Sequence, residues 1–288
     1  MISKKTVLIT GCSDGGIGSA LAQLFHQRGY HVFATARDTT KMSALKELSD
    51  LTQLTLDVVK SSDIQAAVEQ VSQRTGGKLD CLVNNAGRNH FMPILDEDLD
   101  LVKDLFQINF YGPIALTQAF APLLIPAKGM AVYITTISGY LNVPYMGKTD
   151  FGTLGTYAAS KRSLEIVADT LRLELAPFGV DVLEVVTGGV KTQGQTYFGD
   201  FKLPPDSLYK SQEAVIAGRA QGRDGFPRIE AEDYATTVVD EIDKRTTGRI
   251  WCGNNADAVR LSMTATAVPQ SVMDAGAVMG CGLDALGK

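Results

Sequence analysis

Short, nearly continuous apolar runs alternate with helical patterns along most of the chain. Runs of this kind are typical of parallel strands that helices cover on both faces. The alternation therefore predicts an α/β fold with a doubly wound parallel β-sheet of about seven strands, and a ligand site beyond the carboxyl ends of those strands. The predicted strands lie near 5–10, 31–36, 52–56, 79–84, 130–135, 180–186 and 249–252. The predicted helices fill 17–28, 41–49, 62–74, 98–124, 157–176, 206–220 and 230–244.

A glycine-rich turn, 11–18, lies between the first predicted strand and the first predicted helix. Glycines let the backbone turn tightly and approach a pyrophosphate, and the following helix points free N–H groups and its positive dipole end at the phosphates. Because the turn directly follows the first strand, we favour a dinucleotide site over a plain glycine loop. Asp14 lies inside this turn, where its charge opposes phosphate binding unless the carboxylate points outward.

Tyr157 and Lys161 are four positions apart in a predicted helix, so both side chains lie on one face, one turn apart. An ammonium group favours the phenolate form, which is expected to lower the tyrosine pKa from about 10 toward the working pH. Such a pair suits proton transfer to or from an alcohol oxygen. The competing interpretation is an ordinary solvated helix face.

Charge and composition exclude several classes of function. The net charge of −5 argues against nucleic acid as a partner. The four cysteines are far apart, which predicts reduced thiols in a cytoplasmic protein and no metal site. The start of the chain leaves no room for a signal peptide, and no apolar run approaches the roughly 18 residues of a membrane span. Peripheral contact with a lipid droplet or the endoplasmic reticulum stays open.

Further motifs complete a pattern over roughly 5–252: 84–87 after the fourth strand, 108–110 in the long central helix, and 187–192 after the sixth strand. Together with the glycine turn and the Tyr157/Lys161 pair, they resemble the short-chain dehydrogenase/reductase family. The sequence segments 10–18 and 157–163 most resemble those of fungal NADPH-dependent 1-acyldihydroxyacetone-phosphate reductases. Similar chains reduce ketones in secondary metabolism. The resemblance implies a Rossmann-type domain over 1–252, followed by an extension, 253–288, of uncertain packing.

The resemblance also implies catalytic roles. Tyr157 is the acid/base, and Lys161 holds the nicotinamide ribose and lowers the tyrosine pKa. Asn109 supports a proton-relay water, or else bends the helix with a satisfied amide. Thr136 stands where the family has the serine that binds the substrate oxygen, and Ser138 is the alternative.

The residues that the resemblance assigns to the cofactor follow the motifs around the predicted sheet edge. Asp57 would cap the adenine ring, or is an ordinary turn residue; Thr192 would contact the carboxamide, or caps a helix. The implied cofactor-binding residues are Gly11, Ser13, Gly16, Ile17, Gly18, Arg37, Asp57, Asn84, Ala86, Gly87, Tyr157, Lys161, Val190 and Thr192.

The end of the second strand indicates which cofactor is used. NAD enzymes place a carboxylate there for the ribose 2′-hydroxyl, but Ala36 takes that place and Arg37 follows. A guanidinium suits a 2′-phosphate, so the sequence favours NADP(H). Asp38, as a displaced ribose ligand, is the competing interpretation.

Three departures from the family pattern stand out. The glycine turn is one residue longer than usual, and Thr187 replaces the proline of the family's Pro-Gly pair. Tyr157 follows Thr136 by 21 positions, more than the family's usual spacing. We place the excess inside 148–156, as a specificity loop or as a sequence artefact such as a translated intron.

We therefore expect an NADPH-dependent carbonyl reductase that transfers hydride to a ketone, either an acyl-dihydroxyacetone phosphate or a secondary-metabolite ketone. Aromatic and apolar residues in 193–209 either line a substrate lid or pack. The alternative function is a non-catalytic NADPH-binding scaffold or sensor. The expected partners are a small ketone or alcohol, no nucleic acid, and a second copy in a homodimer or homotetramer.

Overall fold

The computed structural model describes residues 4–140 and 155–264. Seven parallel strands form one sheet in the order β3-β2-β1-β4-β5-β6-β7, which confirms the predicted doubly wound architecture. The strands are β1 Thr6–Thr10, β2 His31–Ala36, β3 Leu51–Thr55, β4 Cys81–Asn84, β5 Met130–Thr136, β6 Asp181–Thr187 and β7 Gly248–Cys252. The α-helices are α1 Ile17–Gln27, α2 Ser61–Thr75, α3 Leu99–Phe106, α4 Gly112–Ala127, α5 Gly155–Leu175, α6 Glu213–Ala220, α7 Ala231–Asp243 and α8 Ala256–Thr264.

Side chains that alternate along each strand build two hydrophobic cores, one on each face of the sheet. In β1, Val7 and Ile9 contribute to the core beneath α1 and α7, whereas Leu8 contributes to the core beneath α2, α4 and α5. Successive strand residues point to opposite faces, and here both faces are covered. For this reason the strands read as continuous apolar runs, and the sequence located them within about two residues.

The connection from β1 to α1 depends on glycine at two positions. Gly11 has φ +74°, a left-handed conformation that few other residues adopt. At Gly18, a Cβ atom would lie 2.4 Å from the carbonyl oxygen of Gly11 and 2.6 Å from Nδ2 of Asn85. Only glycine therefore lets the first turn of α1 approach the end of β1.

The predicted helix over 41–49 is wrong. The segment forms two 3₁₀ turns, Thr39–Lys41 and Ser43–Leu45, and Met42 between them has the non-helical angles φ −114° and ψ 40°. The Asp14 carboxylate accepts hydrogen bonds from the amides of Ser43 and Ala44 at 2.8 and 3.0 Å. This capping from a distant loop starts a new turn at Ser43, and local helix propensity could not predict it.

Two other predicted helices contain segments that are not α-helical. The helix predicted over 98–124 contains a π-helical stretch, Gln107–Tyr111, between α3 and α4. In the segment predicted over 206–220, a 3₁₀ turn, Lys210–Gln212, precedes α6.

By length and composition, Leu99–Ala127 could also cross a membrane, contrary to the sequence expectation that no run comes close. This is weak evidence for a span, because Leu116, Phe120 and Leu124 face the core.

Part of the predicted extension is described. Ala256 and Val259 of α8 pack against Ile137, Val186 and Trp251. The division into a domain, 1–252, and an extension, 253–288, stays a prediction. Most of the predicted insertion, 148–154, and the remaining tail, 265–288, lie outside the described residues.

Candidate functional site

A cavity of about 260 Å³ opens at the carboxyl edge of the sheet, where the strand order reverses between β1 and β4. Ligands of doubly wound sheets bind at such a switch point. The cavity brings together predicted residues from five segments of the chain: Ile17, Gly87, Thr136, Ser138, Tyr157, Lys161, Val190 and Thr192. It is also lined by Arg88, Phe91, Arg219 and Asp224, which the sequence analysis did not single out.

The glycine turn presents a helix N-terminus without competing side chains. Gly16 precedes α1 in an extended conformation, no side chain caps the helix, and its first turn contains no acidic residue. Asp14 points away, toward Ser43 and Ala44. Burial alone would raise the pKa of Asp14, but the hydrogen bonds from Ser43 and Ala44 outweigh it and lower that pKa. The carboxylate therefore does not oppose an anion at the turn.

The segment after β4 braces this turn, through a residue that the sequence analysis did not assign to it. Asn85 Nδ2 donates hydrogen bonds to the carbonyl oxygens of Thr10 and Gly11 at 2.7 and 3.1 Å. The neighbouring Asn84 side chain is buried and forms no hydrogen bond within 4–140 and 155–264. Both asparagines belong to the motif 84–87, from which the sequence analysis assigned Asn84, Ala86 and Gly87 to the cofactor.

The hydroxyl groups of Thr136 and Ser138 both line the cavity, 3.2 Å apart. Tyr157 lies beside Thr136. Burial raises the pKa of Tyr157 to about 12, although a hydrogen bond with the Thr136 side chain opposes this shift. The expected lowering of the tyrosine pKa is therefore wrong for this structure, because burial dominates and Lys161 does not contribute.

Lys161 is buried beneath the cavity, with only 5% of its surface exposed. Its Nζ donates a hydrogen bond to the carbonyl oxygen of Ile134 at 2.9 Å. Burial lowers the pKa of Lys161 to about 8, and the charge of Glu165 partly opposes this shift. A Cβ atom at Gly87 would lie 3.1 Å from Lys161 Nζ, so the absence of a side chain at Gly87 leaves room for the ammonium group.

A buried charge cluster behind Lys161 was missed by the sequence analysis. Glu165, one turn after Lys161, pairs with Arg162, and Glu184 on β6 accepts a hydrogen bond from Arg249 Nε at 2.8 Å. Burial raises the pKa of Glu184 to about 7, with the charge of Glu165 acting in the same direction. A glutamate inside the apolar run of β6 was the available signal, because unpaired charges are rarely buried.

Asn109 lies in the π-helical stretch, fully buried. Its Oδ1 accepts from the amide of Arg88 at 2.8 Å, and its Nδ2 donates to the Arg88 carbonyl and to Ser160 Oγ at 3.0 and 3.1 Å. The side chain therefore ties the segment after β4 to α5, and its amide is satisfied. The relay-water role stays a prediction.

The end of β2 carries the two candidates for recognition of the adenosine ribose, Arg37 and Asp38, and their surroundings differ. Arg37 is exposed and forms no hydrogen bond or ion pair with any residue in the described ranges. Asp38 Oδ1 instead accepts hydrogen bonds from Thr40 N and Oγ1 at 3.0 and 2.6 Å, and so caps a 3₁₀ turn. One oxygen of the Asp38 carboxylate is therefore used locally, while the Arg37 guanidinium is available.

Two further candidates have local hydrogen-bonding roles. Asp57 Oδ1 accepts from the amide of Val59 at 3.3 Å, as in an ordinary turn. Thr192 Oγ1 accepts from the amide of Gly194 at 3.3 Å and caps the 3₁₀ helix Gln193–Phe198. Their cofactor contacts stay predictions. Within the described part of the chain, no group of three or more His, Cys, Asp or Glu side chains could hold a metal ion.

Comparison with known proteins gives consistent matches. A family profile described as short chain dehydrogenase matches residues 5–202. The short-chain dehydrogenase PC-15 of Penicillium crustosum is 47% identical over 255 residues, 88% of this chain and 90% of that protein. The NADPH-dependent 1-acyldihydroxyacetone phosphate reductase of Schizosaccharomyces pombe is 39% identical over 234 residues, 80% of this chain and 76% of that protein. The crystal structure of a short-chain dehydrogenase from Streptomyces avermitilis is similar with a TM-score of 0.73 and 28% identity, covering 91% of this chain and 96% of its own.

The burial of Lys161 predicts a stability effect that depends on pH. With its pKa lowered from 10.5 to about 8 in the folded state, the lysine destabilises the protein below pH 8, and this cost vanishes as the pH rises to 10.5. We expect Lys161→Met to raise the unfolding free energy of the cofactor-free protein by about 1–3 kcal/mol at pH 7, since one pKa unit corresponds to about 1.4 kcal/mol and the Ile134 carbonyl loses a donor.

Urea unfolding of both proteins at pH 7 and pH 10 measures this effect. The gain should shrink by about 2 kcal/mol at the higher pH. Lys103→Met is the matched control, because the side chain of Lys103 is 73% exposed. A gain from Lys161→Met that is the same at both pH values would contradict the lowered pKa.

Proposed function

The chain belongs to the short-chain dehydrogenase family, and we propose that within this family it is an NADPH-dependent carbonyl reductase. It is an oxidoreductase acting on CH–OH and C=O groups. One observation carries the proposal: Tyr157, Thr136 and Lys161 meet in one cavity that adjoins the glycine turn. Carbonyl reduction needs an acid, a hydroxyl group that can hold the carbonyl oxygen, and a cation beside the dinucleotide site. These three residues supply those groups.

The residues present fit a dinucleotide. The N-terminus of α1 is free of acidic groups, and the close contact at Gly18 holds that N-terminus at the end of β1. Arg37 is exposed at the end of β2, where it would hold a 2′-phosphate by charge-assisted hydrogen bonds. The relative from Schizosaccharomyces pombe is NADPH-dependent, which supports the same choice. When bound, the cofactor supplies the hydride.

The side chains of the cavity then handle the proton and the carbonyl oxygen. With a pKa of about 12, Tyr157 is protonated at neutral pH and can donate its proton to the oxygen as negative charge develops there. The Thr136 hydroxyl, already beside Tyr157, would hold that oxygen. Lys161 would bind ribose hydroxyls, and Asn109 fixes the segment from Arg88 against α5.

We propose a ketone of medium or large size as the substrate, either an acyl-dihydroxyacetone phosphate, with its apolar acyl chain, or a secondary-metabolite ketone. The rings of Phe91, which lines the cavity, and Phe198 form an edge-on pair with centroids 5.1 Å apart. Phe201, Leu203 and Tyr209 pack in a small apolar cluster with Ile216, so this part of the expected lid is packed. Tyr197 lies among residues whose side chains are not described.

We also propose a homodimer or homotetramer in the cytoplasm. Apolar side chains exposed on α5 and just after it support the assembly: Ile166, Leu173 and Phe178. In the family, long helices at these positions form the faces of a four-helix dimer.

Removal of the phenol hydroxyl tests the reaction. Tyr157→Phe should lower kcat for ketone reduction by about 100-fold or more, because the proton donor is lost. NADPH oxidation with a panel of ketones measures turnover, and titration of NADPH fluorescence measures binding, which should change little. A wild-type protein that binds NADPH but reduces no ketone would instead support the scaffold function.

A charge reversal tests the cofactor. Arg37→Asp should weaken NADPH binding by about ten- to a hundredfold, because a charged hydrogen-bonded contact is lost, and should shift the preference toward NADH. Arg74→Asp, in the last turn of α2 at the opposite edge of the sheet, is the matched control. Preference of the wild type for NADH would refute the cofactor assignment.

A third comparison decides between the two hydroxyl groups. Thr136→Val keeps the shape but removes the hydroxyl, and should lower kcat by about 100-fold with unchanged NADPH affinity. Thr136→Ser should keep the activity, and Ser138→Ala should cost far less than Thr136→Val. The opposite ranking in the same ketone assay would assign the oxygen to Ser138.

A further inference from the structure

A buried contact of three side chains joins the segment after β4 to the start of α5; we call it the helix clamp and define it by His90, Glu97 and Thr156. His90 Nε2 lies 2.5 Å from Glu97 Oε2, and Thr156 Oγ1 donates a hydrogen bond to Glu97 Oε1 at 2.6 Å. The side chains of His90 and Glu97 are only 9% and 2% exposed. The side chains of His90 and Glu97 are therefore buried, and the half-buried Thr156 directly precedes Tyr157.

Both carboxylate oxygens of Glu97 are used in the clamp. A buried carboxylate is costly unless its oxygens accept hydrogen bonds, so His90 and Thr156 each stabilise it. A second contact occurs at the same place. A Cβ atom at Gly155 would lie 2.9 Å from Ile94 Cδ1, so the backbone of α5 begins in direct contact with this segment. The first two residues of α5 thus dock on 94–97.

The length of the preceding connection gives this docking its importance. Tyr157 follows Thr136 by 21 positions, so the connection from β5 is long. A long connection fixes the distance between its ends only weakly. Consecutive residues in a helix point about 100° apart, so a fixed position of Thr156 also fixes the direction in which the Tyr157 side chain leaves the helix.

We propose that Glu97, held by His90, is a positioning residue that sets the place of Tyr157 through the hydroxyl of Thr156. This inference rests on the proposed function, in which Tyr157 donates the proton. The clamp does not touch the reacting atoms; it orders the helix start so that the phenol lies beside Thr136. Displacement of a catalytic group by about 1 Å can cost about 100-fold in rate, so loss of one hydroxyl at Thr156 is enough to matter.

The test removes that hydroxyl without changing the shape of the side chain. Thr156→Val should lower kcat by about 10- to 100-fold, with little change in KM for NADPH or in Tm. Thr156→Ser restores the hydroxyl and should recover the rate. Thr170→Val is the matched control on the same helix, since the exposed Thr170 hydroxyl donates only to the Ile166 carbonyl. In a Glu97→Ala background, Thr156→Val should lower kcat no further, because either change alone already removes the contact between Glu97 and Thr156.

Hydrogen exchange of the cofactor-free protein separates this proposal from the reaction itself. Amides in 155–164 should exchange faster in Thr156→Val than in the wild type or in Thr170→Val. If the wild type reduces no ketone, the proposed function fails, while the exchange result still decides on the clamp. Unchanged exchange together with wild-type kcat in Thr156→Val would overturn the proposal. Equal losses of Tm, NADPH binding and kcat would also overturn it, because they indicate general destabilisation.

Discussion

The close contact between the first turn of α1 and the end of β1 is the constraint on which the site depends. Gly18 faces the carbonyl of Gly11, and Asn85 donates hydrogen bonds to Thr10 and Gly11 at the same place. These contacts bring the N-terminus of α1, the end of β1 and the segment after β4 together. Since β5 pairs with β4, residues at its carboxyl end reach the same edge of the sheet. The same contacts therefore place the glycine turn and the residues at the end of β5 next to each other.

Lys161 shows that this geometry has an energetic cost. A buried ammonium with one carbonyl partner is poorly solvated, and its lowered pKa expresses that cost. Glu165, one helical turn away, compensates part of it, and Glu165 itself depends on Arg162. Sites that hold charges ready for chemistry commonly lose stability in this way. The charge cluster behind the cavity is thus part of the support for the lysine.

The sequence predicted the fold well because strands covered on both faces leave a clear apolar signal, as in β1 and β5. It failed at 41–49, where the amide of Ser43 donates a hydrogen bond to Asp14, in a loop 29 positions away. It placed Tyr157 and Lys161 together correctly, because helical spacing fixes their relation. It missed the direction of the tyrosine pKa, because spacing does not reveal burial or the bond from Lys161 to Ile134. Nor could it identify the Glu97 contact with Thr156, which joins segments 59 positions apart.

The pairing of β1 with β4 also determines at which point of synthesis the glycine turn can gain its contacts with Asn85. β1 and β2 are near neighbours in the chain, but Asn85 lies 75 positions beyond Thr10, whose carbonyl it holds. Contacts of such long range form slowly, because closing the long intervening loop costs chain entropy. A nascent chain that has exposed only its first two strands therefore carries the glycine turn without its brace. The ribosome must deliver β4 before the turn acquires the shape that binds a nucleotide.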